Sequence, residues 1–165
     1  MTEKIVLGFG SNKGGRLKNL RNAVRQVALD RNFDMLALSS VYETEPWGYE
    51  NQGNFLNCAA VFLCRLNPAE LLRFLKRTEA RLGRINRGKW QAREIDVDVL
   101  YYSNYIIEKK GLTIPHPQIN KRNFVLTPLV ELIPGFIDPV FKKSIKRLAE
   151  LSTDKCRAAK YNKTI

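Results

Sequence analysis

The stretch Arg93-Glu94-Ile95-Asp96-Val97-Asp98-Val99-Leu100 sets two carboxylates into an otherwise apolar run. Branched residues at 95, 97 and 99 alternate with Asp96 and Asp98, the period-two signature of a strand. Alternation puts both carboxylates on one face, about 7 Å apart along the backbone. Aspartate is depleted in strands, and carboxylates that close repel unless a cation lies between them. Their hard oxygens suit Mg²⁺, which binds one or two carboxylates together with substrate phosphates. Upstream, Arg81, Arg84, Arg87, Lys89 and Arg93 follow one another with no acid from 80 to 93. Carboxylates for metal beside cations for phosphate describe a site for a magnesium nucleotide. A solvated strand face after a basic loop fits the same segment, and the residues alone leave both readings open.

Other side chains could join that chemistry. Glu79 falls on the apolar stripe Leu71, Leu72, Leu75, Leu82 of a helix, so its carboxylate either passes the core edge or points into a site. His116, the sole histidine, stands between Pro115 and Pro117 on stiff backbone, with Arg122 and Phe124 downstream. It is either structural or a phosphate contact. Phe55 and Asn57 share a strand face, where ring and amide could stack on a flat heterocycle and bond its edge. The plain alternative is a core ring and an amide satisfied by backbone. Trp47 and Trp90, in polar loops, could close over a stacked ligand. Gly10-x₄-Gly15 lacks the Lys and Ser/Thr of a phosphate loop, and Gly8-x-Gly10 meets Lys13 where a third glycine belongs. Any nucleotide is therefore expected to be held by side chains.

Such residues need a frame. Residues 4–10 read as a strand, ended by the turn formers at 11–15, and Leu17, Leu20, Val24, Val27 and Ala28 follow as a helical stripe. A second strand is expected over about 35–43 and a third over about 54–63, with a loop carrying Trp47 between them. Asn67-Pro68-Ala69-Glu70 marks a helix start that runs to Leu82 and stops at Gly83. The Asp-x-Asp strand, a turn at Ser103-Asn104 and an extended Tyr105-Ile106-Ile107 come next. The order β-α-β-β-α-β predicts an α+β, ferredoxin-like sandwich whose second sheet face stays open. A loop over 109–122 and helices at Asn123–Ile133 and Ser144–Leu151 complete the chain.

With 165 residues, 44% apolar and 27% charged, one domain over 1–165 is expected. No signal-peptide core or membrane-length run is present, and three cysteines without C-x-x-C spacing give no disulfide or zinc framework. A reduced, cytoplasmic protein is the expectation. The net charge of +12 is concentrated at 81–93 and in the tail, where eight Lys/Arg face Glu150 and Asp154 between 142 and 163. The tail reads as solvated surface, so the charge does not argue for nucleic acid.

Several of these signals fall into one order: Gly10-Ser11-Asn12, Ser40-x-Tyr42-x-Thr44-x-Pro46, Phe55-Leu56-Asn57, Glu79 with Gly83-Arg84, Trp90-x-x-Arg93-x-Ile95-Asp96-x-Asp98-x-Leu100, Pro115-His116 and Arg122-x-Phe124-x-Leu126-x-Pro128-Leu129. Over about 5 to 135 this resembles the 6-hydroxymethyl-7,8-dihydropterin pyrophosphokinase family of folate biosynthesis. The resemblance implies pyrophosphoryl transfer from ATP to the pterin hydroxymethyl, with AMP released. It implies two Mg²⁺ ions on Asp96 and Asp98, and Arg84 and Arg93 closing over the phosphates. His116 and Arg122 would contact the triphosphate, with Glu79, Ile95 and Thr113 seating the nucleotide. The pterin would stack between Phe55 and Phe124, read by Asn57 and by Thr44, Glu45, Pro46 and Trp47, with Trp90 closing the site. A monomer acting on small molecules, without nucleic acid or membrane, is implied too.

Two departures stand out. The family's usual Trp-Gly-Pro-Arg is here Trp90-Gln91-Ala92-Arg93, which should change the loop's flexibility, and Pro117 replaces an occasional aromatic. Two rivals fit less well. A two-metal nucleotidyltransferase also pairs Gly-Ser with an Asp-x-Asp strand, but keeps them close in sequence. An RNA-binding module would need an aromatic Lys/Arg-Gly-Phe-x-Phe strand, and two aspartates would repel RNA.

Overall fold

The computed structural model describes residues 2–46, 52–88, 91–109 and 111–165. Its frame runs β1 (Glu3–Ser11), α1 (Arg16–Ala28), β2 (Phe33–Leu38), β3 (Tyr42–Thr44), β4 (Phe55–Cys64), α2 (Pro68–Arg81) and β5 (Asp96–Tyr102). β1 lies in the middle, antiparallel to β4 from Glu3↔Cys64 to Ser11↔Leu56. On its other edge it pairs with β5, from Ile5↔Tyr102 to Gly10↔Asp96. β2 pairs with β4, so the order β5-β1-β4-β2 is antiparallel throughout, the ferredoxin-like arrangement.

Alternation assigns the two faces of the sheet. Ile5, Leu7 and Phe9 project to one side and bury against Leu20, Ala23, Val24 and Val27 of α1 and Leu71 and Leu75 of α2. The start of α2 is as its residues dictate. Asn67 accepts from the N–H groups of Ala69 and Glu70 at 3.1 and 3.0 Å, and Glu70 returns a bond to the Asn67 N–H at 3.0 Å. Gly83, at φ +83, ends it.

The second face is not open, contrary to expectation. α3 (Asn123–Leu132) and α4 (Ile145–Glu150) cover half of it, packing Val125, Leu126, Leu129, Ile145 and Leu148 on Val6, Ala59, Val61, Leu100 and Tyr101. Half-covering has a cause in sequence: the rows of β1, β4 and β5 toward their other ends carry Gly8, Gly10, Asn57, Asp96 and Asp98 instead of apolar side chains.

The extended run expected over 35–43 is two strands. Leu38 faces Ala60 but Tyr42 faces Asn57, so three residues oppose two across the step. There Ser39 Oγ accepts from the Ala59 N–H at 3.0 Å and donates to the Ser40 carbonyl at 2.8 Å. A hydroxyl replaces part of the ladder, as serine side chains can. The turn at Ser103-Asn104 forms, with Ser103 at φ 45, but the next strand does not return to β5. Instead β6 (Ile107–Lys109) pairs with β7 (Leu112–Ile114), inside the stretch expected to be loop. The tail is exposed but not merely solvated. β8 (Ala159–Lys160) adds to β3, and Asp154 accepts from the Asn123 N–H at 2.7 Å, capping α3 from a distance. Among the described residues no helix is long and apolar enough to cross a membrane.

Candidate active site

The uncovered half of the second face is the floor of a cavity of about 700 Å³. Register builds it in two rows. Asp96, Gly10 and Asn57 sit side by side across β5, β1 and β4, and so do Asp98, Gly8 and Ala59. The glycines leave a backbone floor between the carboxylates and the amide. A Cβ at Gly10 would lie 2.9 Å from Asn57 Oδ1, and one at Gly8 would lie 3.2 Å from Leu100 Cδ1. Sequence reasoning tested this glycine pair only as a dinucleotide fingerprint; alternation along β1 was the signal for its role.

Asp96 and Asp98 do share a face and border the cavity, but their surroundings differ. Arg84 donates to Asp96 Oδ1 at 2.6 Å, and Arg93 pairs with Oδ2. Burial draws the Asp96 carboxyl upward, but Arg93 and Arg84 outweigh it and hold it below the ordinary range. For Asp98, burial and then the charge of Asp96 push the carboxyl up to about 7. Among the described residues no cluster of three or more His, Cys, Asp or Glu could form a metal cage. The donor set is a pair of carboxylates under cationic side chains, which fits a hard divalent cation that keeps oxygen ligands from a phosphate substrate.

Glu79 lies behind this pair and does not border the cavity. It is buried, its Oε1 accepts from the Val97 N–H at 2.8 Å, and it pairs with Arg84 and with Lys76 Nζ at 2.9 Å. Burial raises its carboxyl, and Lys76 opposes the rise. Its place is a buttress for Arg84 and for the start of β5.

On the opposite rim, β5 bulges. Val6 faces Tyr101 and Leu7 faces Val99, leaving Leu100 as the extra residue. Its carbonyl accepts from the His116 N–H at 3.1 Å, which fastens the Pro115–Pro117 segment to the sheet beside Asp98. His116 Nδ1 accepts from the Gln118 N–H at 3.3 Å, so the ring proton is on Nε2. Burial, helped by Arg122, lowers the imidazole to about 4, so it is neutral at pH 7.

The remaining wall is aromatic. Phe55 and Phe124 both border the cavity, each under a guanidinium: Arg93 lies 5.9 Å from the Phe55 centroid and Arg122 5.5 Å from that of Phe124. Asn57 Nδ2 donates to Thr44 Oγ1 at 2.9 Å, which fixes the amide at the end of the floor.

Eleven expected residues thus border one cavity: Thr44, Glu45, Phe55, Asn57, Arg84, Arg93, Asp96, Asp98, His116, Arg122 and Phe124. Four others do not. Ile95 is fully buried in the core, Thr113 is exposed on β7, Glu79 is the buttress, and Pro46 stands aside. Trp47 and Trp90 lie outside the described residues. Gln52, Asn86 and Gln118 also border the cavity, and nothing in their spacing marked them.

Several known proteins are similar to this chain. The family model of 7,8-dihydro-6-hydroxymethylpterin-pyrophosphokinase (HPPK) matches residues 6–134. The 2-amino-4-hydroxy-6-hydroxymethyldihydropteridine pyrophosphokinase of Aquifex aeolicus is 40% identical over 149 residues, spanning 90% of this chain and 92% of that protein. The folic acid synthesis protein FOL1 of Dictyostelium discoideum is 36% identical over 144 residues, which is 87% of this chain but 22% of that longer protein. Among solved structures, Plasmodium falciparum HPPK-DHPS with pteroate aligns at TM-score 0.73 and 15% identity, over 91% of this chain and 42% of that one. At that identity the likeness speaks for the fold.

Proposed function

The chain belongs to the 7,8-dihydro-6-hydroxymethylpterin-pyrophosphokinase family, and from that premise we infer which of its residues carry the reaction. The activity is transfer of pyrophosphate from ATP to the hydroxymethyl group of 6-hydroxymethyl-7,8-dihydropterin, in folate biosynthesis. The hydroxymethyl oxygen forms a bond to the β-phosphorus, the bond from that phosphorus to the α–β bridging oxygen breaks, AMP departs, and the hydroxyl proton passes to solvent.

The observation that carries our assignment is one cavity with a carboxylate pair and arginines on one side and two aromatic rings with an amide on the other. Asp96 and Asp98 would hold two Mg²⁺ ions. When bound, these would neutralise triphosphate charge and orient the attacking and leaving oxygens. Arg84 and Arg93 exchange their bonds to Asp96 for phosphate oxygens, so no guanidinium loses a partner as ATP enters. The neutral His116 donates Nε2–H to a phosphate oxygen, and Arg122 adds charge from the same rim. Phe55 and Phe124 take the pterin faces, while Asn57, held by Thr44, reads its edge. Glu79 acts through Arg84 and does not touch nucleotide.

The one cavity that collects these groups supports a one-domain unit over 1–165 working on small molecules, and we read it as a monomer. The buried free thiols of Cys58 and Cys64 suit a reducing, cytoplasmic setting. Product analysis tests the reading. Purified protein with MgATP and the hydroxymethyl pterin should release AMP in step with the pterin diphosphate, whereas ADP or inorganic pyrophosphate would sink it.

A further inference from the structure

The cations of 81–93 do not all face substrate. Arg84 and Arg93 border the cavity together with Asn86 and Gly88, but Arg87 does not. Its guanidinium is turned back onto the end of its own loop. Nη1 and Nη2 donate to the two carboxylate oxygens of Glu94 at 3.0 and 2.7 Å, and Nη1 also reaches the Ala92 carbonyl at 3.3 Å. Glu94 accepts in addition from the Ile85 N–H at 3.3 Å. These bonds join 85 to 94, 87 to 92 and 87 to 94, tying the described entry of the loop at 85–87 to its exit at 92–94, which carries Arg93.

That exit is anchored from outside the loop as well. Asn12 Oδ1 accepts from the Arg93 N–H at 2.8 Å, and the Asn12 N–H donates to the Arg93 carbonyl at 3.2 Å. Asn19 of α1 donates to the Glu94 carbonyl at 2.9 Å. No proline stiffens 85–94, where the sequence is Ile-Asn-Arg-Gly-Lys-Trp-Gln-Ala-Arg-Glu. A two-point guanidinium–carboxylate pair, planar and directional, supplies the missing constraint. Both partners are half-buried, with side-chain exposures of 26% for Arg87 and 19% for Glu94.

We propose that Arg87 is a positioning residue rather than a substrate cation, and that with Glu94 it holds the loop in the shape that presents Arg93 to the triphosphate. The proposal rests on the pyrophosphokinase reading above. A clamp that works before the nucleotide arrives saves ordering entropy on binding, so its loss weakens nucleotide binding more than pterin binding. The sign of each charge is immaterial to such a clamp, whereas a phosphate contact needs a cation at position 87.

Charge exchange separates the two roles. Affinity for a non-hydrolysable ATP analogue with Mg²⁺ is measured by calorimetry for Arg87→Glu, Glu94→Arg and the double variant, with steady-state kcat and both KM values alongside. Each single variant should bind the analogue about tenfold more weakly and raise KM for ATP to match, with KM for the pterin changing less than threefold. The double variant should return to within about threefold of the parent. A double variant as weak as Arg87→Glu overturns the clamp, and so do single variants that bind like the parent. If a reversed variant fails to fold, Arg87→Gln and Glu94→Gln serve instead: the clamp requires equal, non-additive losses from the two and their combination, and additive losses overturn it. Parent enzyme that releases no AMP would point to failure of the functional reading, which these comparisons among variants keep distinct.

Discussion

Asp96 and Asp98 are two positions apart on one strand, yet the fold gives them unlike states. Asp96 is held by Arg84 and Arg93, whereas Asp98 is left to burial and to its neighbour's charge, which lift its carboxyl to about 7. A buried carboxylate under like-charge repulsion stabilises nothing until a cation arrives. Asp98→Asn should therefore leave the melting temperature unchanged or raised, while turnover falls at least about a thousandfold, as loss of the proposed metal ligand, worth several kcal/mol, implies. A scanning calorimetry trace beside an AMP assay checks both halves. His116 offers a second check, because one histidine gives one imidazole signal in a proton NMR titration. Its midpoint should fall near 4 in the free protein. The unfolded chain titrates near 6.5 and so binds the proton first. Stability is thus complete above about 6.5 and declines as pH falls toward 4, by about 3 kcal/mol in all. Bound triphosphate should move the midpoint upward, since the ring then donates to an anion.

At the scale of elements, what the sequence disclosed and what it hid divide along local against non-local causes. The capping box of α2, the period-two run of β5 and the stripe of α1 are written in neighbours, and they stand where the residues put them. The break between β2 and β3 depends on Ser39 meeting the Ala59 N–H, a partner twenty residues on. The layer of α3 and α4 over the sheet likewise turns on tertiary partners that no window of sequence contains, whereas β6–β7 pairs within the eight residues 107–114, an exception of local pairing in a stretch that reads in part as loop. The site shows the same division. Its charged and aromatic residues were legible by type, but the floor between them is a matter of register. Ser11 shows the limit of distance along the chain: β1–β5 pairing brings its neighbour Gly10 beside Asp96, and only its full burial, facing Asn19, removes it from the chemistry. Register also makes Gly10 a sharp test. In Gly10→Ala the new methyl meets Asn57 Oδ1 at 2.9 Å and must displace the amide proposed above to read the pterin. KM for the pterin should rise at least about tenfold, equivalent to about 1.4 kcal/mol, with a smaller change in KM for ATP. Equal losses for both substrates in steady-state kinetics would contradict this division of the floor.

For the whole molecule the governing quantity is the net charge of +12 on a chain of 165 residues. Much of the excess lies in two segments of the chain: 81–93, from which Arg84 and Arg93 line the cavity, and the C-terminal stretch from 142 to 163, which includes α4 and β8. The two core clusters packed on the sheet are made of apolar side chains, so the excess charge is not part of them. Such charge acts instead on the approach of a polyanion, because charge focused at a cleft raises encounter rates and is screened by salt. The two substrates differ in the required way: one is a triphosphate, the other an uncharged pterin alcohol. Raising ionic strength from about 0.02 to about 0.2 M shortens the screening length from roughly 20 Å to under 10 Å, less than the span of the site's charged surroundings. kcat/KM for ATP should fall about three- to tenfold over that range while kcat/KM for the pterin stays within about twofold. Stopped-flow binding of a fluorescent ATP analogue should place the loss in the association rate. A salt effect confined to dissociation would mean that only the arginines in contact with phosphate matter, and that the remaining charge has no part in capture.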